Sequence, residues 1–226
     1  MTVIASVHIA DVGATTAFRL QPPRDVAGLR HADTGLAALF SASIRPAPML
    51  GRAGMVAFWE DEDALDRFLA DHPLAARLSD GWSARLEPLR AFGDWPGLPE
   101  DIPRDRVTDH DGPAIVLTLG QLRLRRARRF LRTSARAEAA ALQAPGMVWA
   151  TALARPPFVA TCSVWDSTRA LSTYAYGRTN PGHPDAIAAD QPKPFHRQSA
   201  FVRFRPISIA GHLDGKNPIR ERALDA

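Results

Sequence analysis

One pattern in this chain occurs twice. Phe58-Trp59-Glu60 has a counterpart in Val164-Trp165-Asp166, and Ala64-Leu65 follows Trp59 at the spacing at which Ala170-Leu171 follows Trp165. Phe68 and Tyr174 then fall in register. An Arg-Pro pair stands ahead of each copy, Arg45-Pro46 and Arg155-Pro156. A His-Pro pair follows each, His72-Pro73 and His183-Pro184, with five extra residues before the second. A unit of roughly 110 residues is too long for a solenoid repeat and suits a duplicated α+β domain.

Periodicity gives each copy the same order of elements. Strands are expected at 2–10, 35–44, 54–59 and 83–92, with helices at 24–32 and 61–70; acids open the second helix, where its dipole favours them. Residues 93–113 hold four prolines and read as a linker. The order then recurs: strand 114–122, helix 124–142, strands 147–154 and 158–165, helix 168–176, strand 200–209. This is βαββαβ written twice, so the fold class is α+β with tandem ferredoxin-like repeats. A four-stranded sheet with helices on one face must bury the other. Two such sheets closing face to face in one chain give a barrel of the dimeric α/β type, filled by side chains or holding one ligand. The expected division is an N-terminal half 1–95, a linker 96–113, a C-terminal half 114–210 and a tail 211–226.

Composition excludes several classes. Cys162 is the sole cysteine of 226 residues, so there is no intramolecular disulfide or cysteine-based metal cluster, and its alternating context reads as a small buried hydrophobe. Net charge is +4, carried by arginine, since Lys193 and Lys216 are the only lysines. Without a zinc-finger, helix-turn-helix or RNP pattern this does not indicate a nucleic-acid partner. No apolar run is long enough to span a membrane, and the first residues read as a strand rather than a signal peptide, so a cytoplasmic protein is expected. No Gly-rich phosphate loop or serine elbow is present. His212-Leu213-Asp214 in the tail is an H-x-D but a weak match to a two-histidine, one-carboxylate iron site.

Seven histidines remain as candidates. His183, just beyond the helix 168–176, can be a ligand or a surface residue capping a short helix with Asp185. His8 lies in a strand as a cavity or core group. Trp59 and Trp165, like Trp149, Phe158 and Phe204, can pack the core or wall a ligand cavity. Arg125, Arg129, Arg132 and Arg136 share one face of the helix 124–142, either solvated or docking an acidic partner.

The second copy carries a family resemblance. Phe158–Trp165, the helix Ala170–Tyr176, Gly182-His183, Ala186-Ile187 and Phe201-Val202-Arg203-Phe204-Arg205 resemble the spheroidene monooxygenase family of carotenoid biosynthesis. Its order of elements runs through the whole chain, and the likeness in residues spans 147–206. The resemblance implies a haem-dependent monooxygenase that oxidises a hydrophobic small molecule with O2, with electrons from a ferredoxin-type donor. It implies His183 as the iron ligand, with His196 and His72 as rivals. Arg178, Trp165 and Phe204 are expected around the haem. Arg155 and His196 are expected as catalytic groups, an arginine there binding a propionate or polarising oxygen. The alternatives are peroxidase- or dehydratase-type haem chemistry on the same barrel, or a barrel that binds a small molecule with no cofactor.

Overall fold

A computed structural model of the chain describes residues 3–45, 47–105, 108–176, 194–215 and 217. His183 and Arg178 lie outside these residues. The first copy comprises β1 (Ile4–Asp11), α1 (Ala14–Arg19), β2 (Leu29–Leu39), β3 (Pro48–Trp59), α2 (Glu62–Asp71), α3 (Pro73–Leu78) and β4 (Trp82–Gly93). The second comprises β5 (Ala114–Leu122), α4 (Ala127–Leu142), β6 (Met147–Arg155), β7 (Phe158–Trp165), α5 (Thr168–Tyr176) and β8 (His196–Gly211). A 3-10 turn at Leu124–Arg126 leads into α4.

All eight strands close one antiparallel barrel in the order β1-β3-β2-β6-β7-β5-β8-β4. Cut at its two seams, the ring gives β4-β1-β3-β2 and β8-β5-β7-β6, the same ferredoxin-like order twice. The fold is therefore the expected α+β barrel. One seam is short, pairing Leu36–Leu39 with Ala154–Thr151. Gly35 borders it, where a Cβ would lie 2.8 Å from the backbone nitrogen of Ala154. The other is long, running from Trp82 opposite Gly211 to Gly93 opposite Ala200.

Strand alternation sends one set of residues into the barrel, including Val7, Phe58, Leu86, Leu117, Cys162 and Phe204, all buried in one cluster. The interior is thus filled by side chains. Burial pushes the Cys162 thiol up to about 12, so it is an inert apolar filler. Both ends are plugged from outside the sheet. Trp95 and Ile102 of the linker region enter the core cluster at one end. There the Trp95 indole donates to Asp33 Oδ2 (3.1 Å), which lies 2.8 Å from His31 Nε2. At the other end Leu213 is buried in the same cluster, and Arg52 binds Asp11 and Asp214 at 2.7 Å each. These hydrogen-bonded carboxylates raise the Arg52 pKa. The tail residues Leu213 and Asp214 therefore cover an opening.

The first copy departs from its expected elements near its start. No helix forms over 24–32. Asp25 and Gly28 adopt positive φ (55° and 76°) after Pro22-Pro23, which breaks any helix there, and β2 begins at Leu29. The helix lies earlier, at α1, where Ala17 is buried against the sheet.

Candidate functional site

The two sheets differ in how their outer, helix-facing sides are covered. On the first sheet α2 and α3 form a tight layer. Asp61 Oδ1 caps α2 by accepting from the Ala64 amide (2.9 Å). His72, with Pro73 at the first helical position, caps α3 by accepting from the Leu74 amide at Nδ1 (3.0 Å). Its ring stacks 4.8 Å from Phe68. His72 is thus a helix cap on the first sheet. Beneath these helices Ser6, His8, Thr34 and Trp59 are all buried.

On the second sheet the outer side is open by comparison. Along β5 and β7 the inward residues are buried, whereas the outward Val116, Thr118, Val159, Thr161 and Ser163 are only half-buried. The outward residues of the central strands are small or short. Helix α5 covers one end of this face. Tyr174 stacks 5.0 Å from Trp165 and donates its hydroxyl to the Ala137 carbonyl of α4 (3.1 Å). The same step in the first copy is Phe68 on Trp59, 4.9 Å apart. Helix α4 flanks the face, anchored where Glu138 accepts from the Ser134 hydroxyl and the Ser41 amide (2.9 Å each). Burial raises the Glu138 pKa.

Two ionisable side chains, His196 and Arg203, stand out among the polar groups of this face. His196, at the start of β8, lies flat on β5: a Cβ built on Gly120 would come within 2.5 Å of its Cδ2 and 2.7 Å of its Nε2. Only glycine leaves room for that ring. Phe130 of α4 meets the imidazole edge-on at 5.3 Å. Arg203 lies seven residues along β8, roughly 23 Å at strand rise. It points to the helix side because Val202 and Phe204 point into the barrel. It is 6% exposed, and Ser172 of α5 accepts from its Nη2 at 3.3 Å. Burial, followed by the neighbouring Arg90, lowers its pKa against the opposing effect of Tyr176.

The other site candidates are placed elsewhere. Phe204 is fully buried inside the barrel, across the sheet from His196. Trp165 is 1% exposed under Tyr174, its indole donating to Ser163 Oγ (3.1 Å), so it packs α5 and leaves no ring face open. Arg155 is not beside His196. Its guanidinium donates to the carbonyls of Ala17 and Phe18 (3.0 Å each) and caps α1, three strands or about 14 Å from β8 across the sheet. His183 and Arg178 remain outside the described residues. Gly120, Phe130 and Arg203 were not singled out from sequence, although the alternation of Phe201–Arg205 already sends Arg203 away from the core.

This architecture fits what comparison with known proteins finds. No family model matches the chain. Over 175 residues, 75% of this chain and 66% of the relative, it is 33% identical to spheroidene monooxygenase of Rubrivivax gelatinosus. The chain belongs to the spheroidene monooxygenase family. A second relative of that name, from Rhodobacter capsulatus, is 24% identical over 178 residues, covering 76% of this chain and 73% of the relative. The chain thus spans about two thirds to three quarters of the length of its family relatives. Among solved structures, aldoxime dehydratase in complex with butyraldoxime superposes with a TM-score of 0.50 at 10% identity, over 90% of this chain and 79% of that one. That likeness is one of fold. Among the described residues no helix is long and apolar enough to cross a membrane.

Proposed function

We propose that this member of the spheroidene monooxygenase family is a haem-dependent monooxygenase acting on a hydrophobic, carotenoid-type molecule. The haem would be held between the outer face of the second sheet and helices α4 and α5. The observation that carries this reading is the contrast between the sheets: the same fold buries one outer face and leaves the other half-open, with a histidine on it.

The residues present fit a haem. Gly120 makes a cradle for the His196 imidazole, and neutral imidazole is the usual protein ligand of haem iron. The short side chains of Thr118, Thr161 and Ser163 leave space for a flat group. Arg203 supplies a cation for a carboxylate. Either His183, as the family resemblance implies, or His196 would hold the iron. Bound there, haem would supply the oxygen activation that side chains cannot perform. The chain's own part is to orient and to shield. Phe130 fixes the imidazole edge-on, and α4 and α5 limit water on the outer face. Exposed arginines of α4, among them Arg128, Arg132 and Arg136, suit an acidic, ferredoxin-type electron donor. A cytoplasmic location accords with such a donor.

The test is titration of the purified protein with hemin, followed by absorption spectroscopy, alongside His183→Ala and His196→Ala. A Soret band in the wild type, lost or shifted in one variant, supports the reading and identifies the ligand. Absence of any band in the wild type overturns haem dependence and favours a barrel that works without a cofactor.

A further inference from the structure

Arg203 carries an unusual cost. A guanidinium cannot shed its charge at physiological pH, so burial is ordinarily accompanied by a carboxylate partner. Arg52, equally buried at 6% exposure, has two, Asp11 and Asp214. Arg203 has none among the described residues; its hydrogen bond is the 3.3 Å contact to Ser172 Oγ. Its cross-strand partner on β4 is a second arginine, Arg90. Arg90 donates to the Tyr176 hydroxyl (2.8 Å) and to the Arg104 carbonyl (3.2 Å), so it too is held without an acid among the described residues. Two cations therefore stand side by side where α5 crosses β8 and β4, at one end of the open face.

We propose that Arg203 and Arg90, with the hydroxyls of Ser172 and Tyr176, form a carboxylate-binding site for the ligand held on the outer face of the second sheet. The inference rests on the ligand position proposed above. Arg203 presents a planar fork that matches a carboxylate with two parallel hydrogen bonds. A bound carboxylate would neutralise the buried charge and relieve the repulsion between the two guanidinium groups. The carboxylate can come from a porphyrin propionate or from a free organic acid, and the experiment separates these sources.

The measurement compares hemin with hemin dimethyl ester, which lacks free carboxylates, on the wild type, Arg203→Met and Arg203→Lys. The wild type binds hemin about 10- to 100-fold more tightly than the ester, the scale of a lost charged hydrogen bond. Arg203→Met abolishes the preference and Arg203→Lys restores part of it. In the ligand-free protein Arg203→Met raises the thermal midpoint, because it removes an uncompensated buried charge; a purely structural arginine would lower it. Equal binding of both porphyrins by the wild type, or a lowered midpoint in ligand-free Arg203→Met, overturns the proposal. If neither porphyrin binds, haem dependence fails, and the carboxylate site is judged with decanoate. Stabilisation of the wild type but not of Arg203→Met supports a free acid as the ligand. Equal or absent stabilisation overturns the site.

Discussion

At the scale of single residues, the buried polar groups set the pH and packing behaviour. His8 is buried beneath the helices of the first sheet, and its Nε2 has no hydrogen-bond partner among the described residues. Burial, helped by the Arg85 charge, lowers its pKa to about 4 from the ordinary 6.5. The unfolded chain therefore binds the extra proton first. His8 contributes its full stability above pH 6.5 and loses it as pH falls towards 4, by roughly 3 kcal/mol at most. His8→Leu should flatten that part of the stability–pH curve, measured by denaturant unfolding at several pH values; an unchanged slope would show that other groups govern it. Gly120→Ala places a methyl against the His196 ring. It should cost about 1–3 kcal/mol by overpacking and shift the His196 ring resonances in NMR spectra. Little of this was legible in the sequence, because a histidine in an alternating strand does not declare which side it faces until the register is known.

At the scale of elements, the repeat was the dependable guide. Trp59 with Phe68 and Trp165 with Tyr174 share one spacing in the sequence and nearly one separation in space. Strands β5 and β7 and helix α5 fall where periodicity places them. The error at 24–32 has a physical cause: α1 carries adjacent threonines with weak helix propensity and is held by tertiary contacts. One such contact is Arg155, which the family resemblance offers as a catalytic group. Arg155→Ala should lower stability by roughly 1–2 kcal/mol through loss of two helix-capping hydrogen bonds, while leaving the Soret maximum of hemin-loaded protein in place. A displaced Soret maximum would instead put Arg155 at the ligand site.

At the scale of the whole molecule, both sheets share one core. Linker residues Trp95 and Ile102 and tail residue Leu213 belong to it, although composition marks both segments as polar connections. A few buried apolar side chains in a proline-rich stretch carry no periodicity, so their destination becomes visible only once the barrel is closed. Since the halves meet along two seams, they should unfold in one transition, with far-ultraviolet circular dichroism and tryptophan fluorescence reporting coincident midpoints. Two separated midpoints would mean that each half is stable alone. The same closed and filled barrel supports the proposed ligand position outside it, on the half-open outer face of the second sheet. The most direct test is a crystal structure of the hemin-loaded protein with an anomalous map at the iron edge. One iron peak is expected on the helix side of the second sheet, between β5 and α4 or α5. A peak inside the barrel, or on the first sheet beneath α2 and α3, would contradict that placement.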